Sequence, residues 1–135
     1  MIGAKERMRY NITRRTSGDF DVVVGRVKTA LQREGFGVLT EIDVAQTLKA
    51  KIGKDFRPYR ILGACNPNYA FQALSEEAHI GVMLPCNVIV QRYDSGEVEL
   101  SSIDPATAME AVGNPKLAAV ADEVRAALKR VIESV

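Results

Sequence analysis

A chain of 135 residues, 47% hydrophobic and 26% charged, can bury a core without staples and reads as one domain over residues 1–135. Eighteen Lys and Arg against 17 Asp and Glu leave a net charge of +1. That balance argues against a dedicated nucleic-acid binder, and two cysteines exclude a secreted disulfide scaffold.

No apolar run approaches the roughly 18 residues of a membrane helix, and "MIGAKERMRY" lacks the apolar stretch of a signal peptide. The expectation is a cytoplasmic protein with reduced thiols and no membrane partner. In "RMRYNIT", Met8, Tyr10 and Ile12 alternate with Arg7, Arg9 and Asn11, the period of a half-buried strand. Phe20, Val23, Val24, Val27 and Leu31 then form one helical stripe over about 19–34. Ser17 or Asp19 can cap its start and Gly35 its end. "FGVLTEI" is a short strand. "DVAQTLKAKIG" is a helix, with Asp43 and Gln46 as capping box, Val44, Leu48 and Ile52 as stripe and Gly53 as stop.

"RPYRILGAC" is the next strand, and "NPNYAFQALSEEAH" a helix with Asn66 as N-cap and Pro67 at its first position. "IGVMLPCNVIVQRY" and "EVELSSI", joined by "DSG", form an antiparallel hairpin. "DPATAMEAVG" is another capped helix. The last segment is a long amphipathic helix with Leu117, Val120, Val124, Leu128 and Val131 inward. The pattern predicts an α+β, two-layer fold: a mixed sheet of about five strands with helices mainly on one face. Residues 39–50 echo 100–111, and 66–73 echo 114–121. An ancient duplication with a central cleft is one explanation; repeated capping chemistry at helix starts is the other.

The chemistry-bearing segment is "ILGACNPNYAFQALSEEAHIGVMLPCNVIV", which holds both cysteines, Cys65 and Cys86, each followed by asparagine. Read as a strand–helix–strand crossover, it predicts two parallel strands. Cys65 would then lie at a strand end before a helix N-terminus. The free N–H groups of Asn68 and Tyr69 would favour an anion there and would activate the thiol. Gly63 and Ala64 leave room beside it. Pro85 and Asn87 disrupt the strand at Cys86, which must break, bulge or run along an edge. Candidate ligand-binding residues are therefore Cys65, Asn66, Asn68, Cys86 and Asn87. The competing readings are buried structural thiols, a thiol-dependent or redox pair, and a soft-metal site. One histidine and two cysteines are poor material for a metal, so none is assigned. His79 reads as a surface residue ending its helix.

No phosphate loop, dinucleotide fingerprint, nucleophile elbow or zinc-protease motif occurs, so no cofactor and no catalytic residue is assigned. Basic residues gather at Lys5, Arg7, Arg9, Arg14 and Arg15 and at Lys49, Lys51, Lys54, Arg57 and Arg60. A solvated face explains them better than a nucleic-acid rim, because aromatic residues are only 6%. Glu41, Asp43, Glu76 and Glu77 are candidate general acids, Asp43 being better explained as a cap.

"GFGVLTEIDVAQTLKAKIGKDFRPYRILGACNP", "IGVMLPCNVIV" and "SSIDPATAMEAVGNPKL" resemble the bacterial and archaeal family called domain of unknown function 302, over about 20–135. "YRILGACNP" and "LPCNV" are the specific blocks. The resemblance implies a compact α+β domain and a homodimer, with exchanged elements between subunits as one form of it. It implies no activity, cofactor or catalytic residue. Three functions follow as expectations: a small-molecule or anion-binding domain, a thiol redox or soft-metal protein, and a non-catalytic dimeric interaction domain.

Overall fold

The structure, a computed structural model, describes residues 9–135; Lys5, Arg7 and Met8 lie outside them. Among the described residues five strands and five α-helices alternate as far as β4, which is followed directly by β5 and then by the last two helices. Strand β1 spans Asn11–Thr16 and helix α1 Phe20–Arg33; β2 spans Gly37–Asp43 and α2 Val44–Ile52. Strand β3 covers Tyr59–Cys65, α3 Pro67–Glu76, β4 Cys86–Arg92 and β5 Val98–Ile103. Helices α4, Pro105–Val112, and α5, Ala118–Ser134, complete the domain. Single 3₁₀ turns at Ile80–Met83 and Pro115–Leu117 lead into β4 and α5.

Four of the five described helix starts follow from local chemistry, whereas α5 runs on from the Pro115–Leu117 turn without a side-chain cap. The side chains of Asp19, Asp43, Asn66 and Asp104 accept hydrogen bonds from backbone N–H groups of α1, α2, α3 and α4. Pro67 and Pro105 occupy first-turn positions that need no donor. Gly53 and Gly113 close α2 and α4 at φ +66° and +72°, where a side chain would be strained. Arg14 secures the last helix from outside, donating to the carbonyls of Ile132, Glu133 and Val135 at 3.4, 3.3 and 2.7 Å.

The strands form one open sheet in the order β1-β5-β4-β3-β2. All four pairings are antiparallel. The expected parallel crossover between β3 and β4, and with it the mixed sheet, is corrected. The reason lies in residues 80–83, expected to open the strand. They form a 3₁₀ turn instead, and β4 begins only at Cys86. Helix α3 and this turn bring the chain back to the end of β3 that it left, so β4 runs the opposite way, with Cys86 facing Ala64 and Gln91 facing Tyr59. The β4–β5 hairpin forms as expected.

Helices α1 and α5 cover one face of the sheet. Val23, Val24, Val27 and Leu31 of α1 and Leu128, Val131 and Ile132 of α5 are buried against Leu62, Val88, Val90, Val98 and Leu100. Each such side chain contributes roughly 1.5–3 kcal/mol on leaving water. A smaller cluster stands apart: Ala73 of α3, Ile80 and Leu117, with Met83, Leu84, Met109 and Val112 packed on it. Helix α2 buries no residue, and Ile52 is 63% exposed, so its stripe is only partly used.

The echoed segments share local roles, not equivalent places. Residues 39–50 cover edge strand β2 and α2, whereas 100–111 cover interior strand β5 and α4. Strand β3 separates α2 from α3, but no strand separates α4 from α5.

Candidate functional site

Antiparallel pairing brings the two cysteines to the same end of the sheet by a different route from the one expected. Cys86 opens β4 opposite Ala64, and Cys65, the next residue, ends β3 opposite Gly37. Proline fits immediately before β4, where no ladder donor is needed. Its peptide bond with Leu84 is cis. The ring of Pro85 closes over Gly63: a Cβ built there would lie 2.8 Å from Pro85 Cγ and would strike Thr40 Oγ1. The space expected beside Cys65 at Gly63 is thus filled.

Behind the cysteines lies a partly enclosed cavity of about 60 Å³. Ala64 and Cys86 form its floor on the sheet, with Cys65 and Asn66 at the strand end. Tyr69, Ala70 and Ala73 of α3 and Leu84 and Pro85 close one side. Met109 of α4 and Val120, Ala121 and Val124 of α5 close the other. The walls are almost wholly apolar. The volume exceeds the roughly 10–15 Å³ that a water needs, but such walls offer water few partners. The cavity follows the seam between the two hydrophobic clusters, Val120 packing on both.

Of the five predicted site residues, Cys65, Asn66 and Cys86 line this cavity; Asn68 and Asn87 do not. The N–H groups expected to bind an anion have a partner already. Asn66 Oδ1 accepts from Asn68 N at 3.1 Å and from Tyr69 N at 3.5 Å. Burial, and secondarily the neighbouring Cys65, push the Cys86 thiol up to about 11, against an ordinary 9.0. Cys86 therefore stays a neutral thiol at neutral pH and behaves as a small hydrophobe.

The remaining candidates are engaged elsewhere. Glu41 receives Lys28 at 2.6 Å and Arg60 at 2.5 Å. Hydrogen bonds first from Lys28 and then from Arg60 hold its carboxyl below the usual range, which suits an ion pair and not a general acid. Asp43 is the α2 cap. Arg60 also faces Asp21 at 3.5 Å and lies over the Phe20 ring, and Lys49 pairs with Asp55. Arg57 donates to Gln91 at 2.8 Å and stacks on Phe56 and Tyr93. Glu77 accepts from the Asn114 amide, and Lys116 lies 3.8 Å from Glu76. His79 sits beyond the end of α3, its side chain 92% exposed. Among the described residues no group of three or more His, Cys, Asp or Glu is placed to hold a metal ion, and no helix is long and apolar enough to cross a membrane.

Sequence reasoning missed Met109, Ala70, Ala73 and Ala121. The one available signal was the density of alanine on α3 and α5, which leaves a gap where larger side chains would have filled it.

The fold and cavity define a class: an α+β domain with an open antiparallel sheet and an apolar cavity at one sheet end. The chain belongs to the family described as Domain of unknown function DUF302, whose model matches residues 12–135. The crystal structure of an uncharacterized conserved protein DUF302 from Bacillus stearothermophilus is similar, with a TM-score of 0.86 and 29% identity, over 92% of this chain and 96% of that one. No curated protein matches the chain.

Proposed function

We propose that this domain binds a small, uncharged, largely apolar molecule between the cysteine end of its sheet and helices α3, α4 and α5. The observation that carries this reading is the cavity wall: side chains from the sheet and three helices converge on one space and present almost no polar surface. At about 60 Å³ the resting space is smaller than the roughly 150 Å³ of an apolar cavity known to take up benzene. A ligand beyond a few atoms has to displace the α3–α4 cover, whose hydrophobic cluster contains three buried residues. Occupation of the Asn68 and Tyr69 N–H groups speaks against the anion variant, and the raised thiol of Cys86 against a reactive thiolate.

Titration with benzene or pressurised xenon, followed by amide NMR, tests the reading. Shifts confined to Cys65, Tyr69, Ala73, Met109 and Ala121, and lost in Ala73→Leu, are expected. No response to either probe would overturn it, and a response to phosphate instead would restore the anion variant.

A second reading, a homodimeric interaction domain, is favoured by the sheet face opposite α1 and α5. There Ile42, Ile61 and Ile89 form a cross-strand row, with Ile42 46% exposed. Nearby in sequence, Leu39 and Phe56 are also exposed. Light scattering at falling concentration tests it: a dimer dissociated by Ile42→Lys supports it, and a monomer throughout refutes it.

A further inference from the structure

A second, wider concavity lies on the outer side of α4, between it and α5, with a volume of about 370 Å³. Glu110, Asn114 and Asp122 give it the polar rim that the inner cavity lacks. Two residues, Met109 and Ala121, line both spaces. They are the partition between the inner cavity and this groove. Ala121 carries only a methyl group fixed on α5, which cannot swing aside. Met109 is unbranched, with three rotatable bonds that let it adopt many shapes at little cost. It is only half-buried and packs on the smaller hydrophobic cluster.

We infer that Met109 is the gate of the cavity: ligand enters from the α4–α5 groove when this side chain rotates away. The inference rests on the apolar-ligand reading and narrows its ligand class. An apolar inner space joined to a polar-rimmed outer one fits a slender molecule with an apolar chain and one uncharged polar end. The chain would pass Met109, and the polar end would stay beside the carboxylates of Glu110 and Asp122.

The test is the rate at which benzene exchanges with the protein, read from NMR line shapes. Met109→Ala is expected to exchange several-fold faster than the unmodified protein. Met109→Ile, stiff about its first side-chain bond, is expected to exchange more slowly. Opposite signs in two variants of one residue exclude general loosening as the cause. n-Hexanol is expected to shift Asn114 and Asp122 in addition to the cavity residues, whereas benzene leaves those two unmoved. Wild-type rates in both variants, with faster exchange in Leu84→Ala on the cysteine side, would overturn the gate and leave the cavity reading standing. Failure of benzene to bind any of these proteins would overturn both.

Discussion

The two hydrophobic clusters of this domain differ in more than size. The larger gathers eighteen buried residues, seventeen from α1, α5 and the sheet and Phe36 from the α1–β2 connection, and its valines and leucines interlock with little exposed surface. The smaller buries three, Ala73, Ile80 and Leu117, while Phe71, Leu74 and Val82 nearby in the chain stay 74%, 46% and 86% exposed. Interlocking cores resist deformation, whereas regions with few buried contacts open locally at low cost. The difference assigns stability to one region and the capacity to open to the other, with the cavity on the seam between them.

The most severe way to probe the comparison is to truncate the larger cluster. Leu128→Ala removes a fully buried side chain and is expected to cost about 2–5 kcal/mol in chemical denaturation. A loss below about 1 kcal/mol would show that the division of labour is misplaced. Gly63→Ala acts at the seam. The new methyl meets Thr40 and Pro85, and a loss of about 1–3 kcal/mol is expected from overpacking.

Titration of Cys86 probes the same seam. Its folded value of about 11 lies above the ordinary 9.0. Between those values the unfolded chain has lost the proton while the folded chain keeps it. Stability should therefore be nearly unaffected below pH 9 and fall as pH rises through about 9 to 11, by at most about 3 kcal/mol in all. Cys86→Ala should flatten that part of the pH profile; an unchanged slope would assign it to other groups. The gentlest test is Ile80→Val in the smaller cluster, with an expected global cost of about 0.5–1.5 kcal/mol. Its diagnostic signature is faster amide hydrogen exchange in α3 and α4, with α1 and α5 unaffected. Uniform acceleration would mean that the two clusters open as one unit.

Much of the fold is written locally. Asp19, Asp43, Asn66 and Asp104 announce helix starts because a short polar side chain has one good use there. Gly53 and Gly113 announce helix ends for the complementary reason. The β4–β5 hairpin was legible from its turn and alternation. The direction of β4 was not, because "IGVM" is as apolar as a strand and only tertiary packing of Ile80 makes it a turn. Pro85 and Asn87 were legible as an irregularity, and Pro85 is explained by the strand starting after it, with its ring set against Gly63. The site was legible only in part: the cysteines mark one wall of the cavity. The other walls come from alanines and Met109, residue types that carry no chemical signature, and they meet only through long-range packing.

The sheet order has a consequence for the timing of folding. Among the described residues β1 pairs with β5 alone, so Thr13 meets Ser101 across 88 positions of sequence. During synthesis β1 emerges before the other four described strands yet is among the last to find its place, waiting for Val98–Ile103 to emerge and for Arg14 to reach the end of α5. Through that interval β5-less intermediates leave β1 unpaired and the β4 edge open, in addition to the β2 edge that the finished sheet keeps, and a chain stalled before Val98 is the form of this protein most exposed to aggregation.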